Sequence, residues 1–138
     1  MDEFNYETYC KDKLESILPG FQKKWEQQAN LPVIQEVDAY MLYERALLDD
    51  YVFEAIRRMD KSDKRNLYNI FNLIEELIQH PNFNVQCLAE VGFIEPFVAT
   101  LEPKRDVEKY LRPKSLETAR ALARKWFKIN PETWEETT

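Results

Sequence analysis

The chain has 138 residues and a formal net charge of −6, with one His, two Cys and two Gly. That inventory excludes most metal and phosphate chemistry. A zinc site needs several His or Cys at close spacing, and two glycines cannot build a phosphate-cradling loop. No GxSxG, GxxxxGK[ST] or GxGxxG motif is present, so neither an enzyme nor a bound cofactor or metal is expected. The length suits a single domain over residues 1–138.

The N-terminus, "MDEFNYETYCKDK", is acidic and polar, unlike a secretory signal peptide. No run approaches the roughly 20 apolar residues of a membrane span. A cytoplasmic protein with two idle thiols, Cys10 and Cys87, is the expectation.

In chain order, "NYETYCKDKLESILPG" reads as a first helix. Tyr6, Tyr9, Cys10, Leu14, Ile17 and Leu18 fall near i, i+3, i+4 spacing. Pro19-Gly20 ends it. "FQKKWEQQA" makes a short second helix. From Ile34 to Met59 no Gly or Pro interrupts, which predicts a long third helix. Val37, Met41, Leu48, Val52, Ala55 and Met59 share one face, with Leu42, Leu47 and Phe53 off that stripe. A helix apolar on several sides is central in a bundle.

"DKSD" breaks the pattern, with Asp60 or Ser62 as an N-cap. A fourth helix follows to Gln79, its stripe formed by Leu67, Ile70, Phe71, Ile74, Leu77 and Ile78. "HPNFN" interrupts it, and Asn82 or Asn84 caps the next helix. That helix buries Val85, Leu88, Ala89, Phe93 and Ile94. "EPKRDVEKYLRP" is a basic connection with one short helix. "KSLETARALARKWF" is the last strong helix, with Ser115 as N-cap and a stripe of Leu116, Ala119, Ala123, Trp126 and Phe127. The acidic tail is ordered in part by Trp134. The reading is all-α: a single-domain helical bundle containing one HEAT/armadillo-like helix pair across "LIEELIQHPNFNVQCLAEVGFIEPF".

His80 lies beside Pro81 at a helix end. There it is expected to meet unpaired carbonyls and the negative end of the helix rather than to do chemistry. Asp49-Asp50 and Glu75-Glu76 are adjacent pairs. Neighbours on a helix diverge by about 100°, so neither pair is an acid/base couple.

What remains is a surface. Residues 1–60 carry 13 acids and 7 bases, and residues 104–138 carry 6 acids and 9 bases. An acidic body disfavours nucleic acid as a direct ligand and favours a basic protein partner. On the third helix Glu36, Tyr43, Asp50 and Arg57 recur one heptad apart, with Glu54 beside them and Phe53 at the edge. Carboxylates interleaved with a tyrosine suit capture of a basic surface. The partner-binding candidates are therefore Glu36, Tyr43, Asp50, Phe53 and Glu54. The basic block from Lys104 to Lys128 is expected to pair with the acidic half of the same protein or of a neighbour. Its aromatics, Tyr110, Trp126 and Phe127, stand at core-like spacing rather than as stacking platforms.

Two segments, "IFNLIEELIQHPNFNVQCLAEVGFIEPF" and "YLRPKSLETARALARKWF", resemble those of a group of small bacterial all-helical proteins. In that pattern a helix carrying "IE" leads to a polar turn and then "VQ", and a "P-K-S" segment precedes a last helix ending near Trp. Such proteins are similar to immunity proteins of polymorphic toxin and contact-dependent inhibition systems. The resemblance implies a cytoplasmic inhibitor that occludes the basic active-site cleft of a cognate toxin domain, of nuclease type. The alternative is a helical adaptor or scaffold domain that holds a protein or peptide partner.

Overall fold

The computed structural model describes residues 4–29, 47, 51–58, 60–100 and 106–136. The architecture is all-α. Its helices are α1 (Tyr6–Ile17), α2 (Phe21–Ala29), α3 (Phe53–Arg58), α4 (Lys61–Ile78) and α5 (Phe83–Cys87), which leads into a π-helical stretch (Leu88–Ile94). α6 (Glu95–Thr100), α7 (Asp106–Tyr110) and α8 (Pro113–Trp126) follow. Two-residue strands β1 (Ile129–Asn130) and β2 (Glu135–Glu136) close the chain as an antiparallel pair, Ile129 opposite Glu136.

Short-range chemistry sets the element ends. Asn5 caps α1 by accepting from the Thr8 N–H at 3.0 Å, and the helix stops at Leu18, before Pro19. Gly20 then takes φ +98°, a conformation that a side chain would strain. Glu15 reaches across this turn and accepts from the N–H groups of Gly20 and Phe21 at 2.8 and 2.9 Å. Asp60 and Asp63 form a reciprocal capping box at the head of α4. The Asp63 carboxylate also receives both Nη2 and Nε of Arg58, at 2.8 and 3.3 Å. The Arg58 guanidinium, with the Asp60 N–H, holds the Asp63 carboxyl below the usual range.

α4 is the central element. It packs on α1, α3, α5, the π-helical stretch, α7 and α8. Leu67, Ile70, Phe71, Leu73, Ile74 and Leu77 are all buried on it, so the predicted stripe stands, with Leu73 added and Ile78 half-buried. Cys10, Leu14 and Leu18 of the first segment join the same core, as do Leu47, Val52 and Ala55. Val52, on the predicted stripe of residues 34–59, and Leu47, off it, are both buried. Most of that predicted helix lies outside the described residues.

The helix after the "HPNFN" break is wound unevenly. Over Leu88–Ile94 it is π-helical, and the Glu95 N–H reaches back to the Glu90 carbonyl, five residues earlier. Pro96 follows at once. Proline offers no N–H to the carbonyl four residues before it and its ring clashes there. The wider winding around Gly92 relieves that conflict. Val85, Leu88, Ala89, Phe93 and Ile94 remain buried through the change.

At the other end the chain reverses after α8 through Lys128, at φ 51°. Trp134, 2 % exposed, anchors the tail, and its backbone N–H donates to the Asn130 carbonyl at 2.7 Å. Among the described residues, no helix is long and apolar enough to cross a membrane.

Candidate partner-binding surface

The stretch around His80 is a joint. His80 stands two residues beyond α4, and its backbone N–H donates to Leu77. Its ring does not reach the helix carbonyls, contrary to the expectation from sequence. Instead Nδ1 accepts from the Asn82 N–H at 2.9 Å. The Asn82 side chain in turn accepts from Asn84 and Val85 and so caps α5, and the Gln86 side chain donates to the His80 carbonyl. The ring packs against both Phe4 and Tyr9, at centroid distances of 5.9 and 4.9 Å. These hydrogen bonds serve to fold the turn.

The thiols are equally quiet. Burial pushes the Cys10 thiol up to about 12. Burial, and then the Glu90 charge, raise Cys87. A thiol held protonated is a poor nucleophile. Among the described residues no group of three or more His, Cys, Asp or Glu is placed to hold a metal ion.

The adjacent acids of α4 diverge as helical geometry requires. Glu76 pairs with Lys13 of α1 at 3.7 Å. Glu75 points to α8 and does the work assigned from sequence to Ser115. α8 begins at Pro113, so its N-cap is Arg112, which makes no side-chain cap. Ser115 is the third helical residue and is fully buried. Pro113 has no N–H to satisfy. The Glu75 carboxylate accepts from the N–H groups of Lys114 and Ser115 at 2.9 and 2.8 Å and from the Ser115 hydroxyl at 2.7 Å. The positive end of the helix favours the same charge. Burial alone would raise the Glu75 carboxyl. Those three bonds, helped by the nearby Arg112 charge, outweigh it and hold the group below its ordinary value. This one side chain joins the "LIEE" and "RPKS" segments of the sequence.

Toward its N-terminus the α7-facing side of α4 is open. Leu67, Phe71 and Tyr110 line a pocket of about 380 Å³, walled by Tyr68 and ringed by Lys64, Lys109 and Arg112. Phe71 stacks on Tyr110 at 5.7 Å and meets Phe97 edge-on at 5.2 Å, which fixes the floor. Tyr68 is 62 % exposed, and the Arg112 guanidinium lies over its ring at 6.0 Å. The Lys109 ammonium lies over Tyr110 at 5.4 Å. Among the described residues no carboxylate lines the pocket. A larger groove of about 420 Å³ runs between Gln79 and Trp126, but Glu90 and Glu117 share its lining with Lys114 and Lys125.

The predicted surface residues divide. Glu36, Tyr43 and Asp50 lie outside the described residues. Phe53 is half-buried against the core, so it contributes packing as well as an edge. Glu54 is partly exposed and pairs with Arg57 at 3.3 Å. One expectation about the basic block is corrected, the burial of Trp126. Within the basic block Arg120 pairs with Glu108 at 2.7 Å and Lys114 with Glu117 at 3.7 Å. Arg120 holds the Glu108 carboxyl low despite its partial burial, and the Trp134 indole adds to this from nearby. That indole N–H is itself buried, short of good hydrogen-bonding geometry. Trp126, placed in the buried stripe by its spacing, is 64 % exposed. Phe127 packs against the core in its place.

The tyrosine pocket was not found from sequence. The available signal was Tyr68, an aromatic off the apolar stripe of α4, set one turn after Lys64. No curated protein and no solved structure shows significant similarity to the chain. A family match does span residues 11–127, enclosing α4, the Glu75 junction, the pocket and all of α8, and on that match the chain belongs to the DUF7674 family, a domain of unknown function.

Proposed function

We propose that this chain is a protein-binding module that acts by forming a stoichiometric complex, as an immunity protein that neutralises a cognate toxin domain, of nuclease type, by covering its basic active-site surface. The observation that carries the reading is charge placement. Thirteen acids against seven bases fall in the first 60 residues. Part of that region, Glu54 on α3, stands partly exposed. Acids on a helix face attract a basic partner over distance and pair with its Arg side chains on contact.

The test mixes the purified chain with a toxin domain encoded beside it. A 1:1 complex that abolishes toxin activity is expected. Association should slow about tenfold or more as salt rises from low to high ionic strength, and an association rate indifferent to salt would remove the acidic face from the account.

A second reading, a helical adaptor that holds a peptide, is favoured by one feature. The tyrosine pocket is concave and apolar at its floor, the form of a side-chain anchor site.

A further inference from the structure

Two surface features of the described residues combine exposed aromatic area with charge: the groove beside Trp126 and the pocket beside Tyr68. At the groove Lys114 already pairs with Glu117, and both signs of charge are present, so it selects no partner charge. At the pocket the three rim groups are all cations. Lys64, Lys109 and Arg112 are exposed, and none makes an ion pair among the described residues. Arg112 acts on Glu75 at a distance, while the Glu75 oxygens are taken by Lys114 and Ser115.

Like charges gathered around an apolar floor repel one another, a cost that a bound anion removes. The floor is built independently of any ligand, because Phe71 is 3 % exposed and locked between Phe97 and Tyr110. Tyr68 and Arg112 at the rim belong to the residue types that dominate binding energy at protein interfaces. The opening of about 380 Å³ admits one large side chain rather than a whole helix face.

We propose that this pocket takes an aromatic side chain from an acidic peptide segment of a partner protein. The ring enters between Tyr68 and Tyr110, and carboxylates flanking it reach Lys64, Lys109 and Arg112. Charge complementarity selects the acidic flanks, and the aromatic walls select the ring. The site is distinct in sign from the acidic face assigned to a toxin, and it rests only on the chain being a protein-binding module.

The experiment is a nuclear magnetic resonance titration of the full chain. The probe is a nine-residue capped peptide of Asp and Glu with a central Phe. Saturable shifts confined to the surroundings of Tyr68, Tyr110 and Arg112 are expected. The double substitution Lys64→Glu/Lys109→Glu should weaken binding about tenfold or more, and Tyr68→Ala should do likewise. All three positions are exposed or on the rim, so the variants fold. A basic peptide of equal length should not bind.

Absent or scattered shifts, or affinity unchanged by these variants, would overturn the proposal. So would free phenylacetate binding as tightly as the peptide, which would make the pocket a site for a small aromatic anion. None of these failures touches the toxin reading, which stands or falls on the complex with the toxin domain.

Discussion

Two ends of one helix face behave in opposite ways. At Glu75 the charge is taken up inside the molecule, by two backbone N–H groups and a buried hydroxyl. One and two turns earlier, at Phe71 and Tyr68, the same face opens onto a pocket whose rim cations have no carboxylate among its described lining residues. A charge held by buried donors fastens α8 to α4. Charges held over exposed rings leave their strongest interactions still to be made. The comparison separates residues that serve the fold from residues available to a partner, although both kinds are charged or aromatic.

The largest expected effect strikes both ends together. Phe71→Ala removes the ring shared by the core and the pocket floor, and should cost about 3–5 kcal/mol of stability in urea unfolding. A cost near zero would mean that the pocket floor is not part of the core.

Next comes the closed end. Glu75→Ala leaves the Ser115 hydroxyl and two N–H groups without their acceptor and should cost about 2 kcal/mol. The pH dependence has a definite sign. The Glu75 carboxyl is held below its unfolded value. Its stabilisation is therefore complete above the unfolded value of about 4.3 and is lost as pH falls through the lower, folded one. The stability gap between the natural chain and Glu75→Gln should accordingly hold steady above about pH 5 and narrow as pH falls below about 4.3. A gap that does not narrow would show that the charge contributes nothing.

Asn82→Ala removes the cap of α5 and should cost about 1 kcal/mol. Unfolding titrations of that variant would show whether the His80 turn acts only as a joint. The smallest change is expected at the open end. Tyr68→Ala should alter stability by less than about 0.5 kcal/mol while removing peptide binding.

The same contrast explains what could be read from sequence. The stripes of α1 and α4 were legible because apolar periodicity reports burial on one helix face. The caps were legible to within two residues each, Asp60 or Ser62 and Asn82 or Asn84, because the residue accepting the hydrogen bond is local, and the structure selects Asp60 and Asn82. The cap of α8 was not. Ser115 has the composition of a cap, yet Pro113 at the first helical position moves the start three residues earlier, and the acceptor arrives from a helix 40 residues away. Trp126 has core spacing, but Phe127 packs in its place at the end of α8. The pocket was illegible because α4 and α7 bring its walls together, while Lys64, Tyr68 and Arg112 read separately as an ordinary solvated surface.

The measurement that most directly tests this division is the melting temperature of Lys64→Glu/Lys109→Glu beside that of the natural chain. If the rim cations are kept for a partner, the two should melt within about 2 °C of each other. A fall of about 6 °C or more, the size expected for losing the Glu75 cap in a chain of this length, would show that these cations hold the fold, and the open end of the face would then be structural like the other.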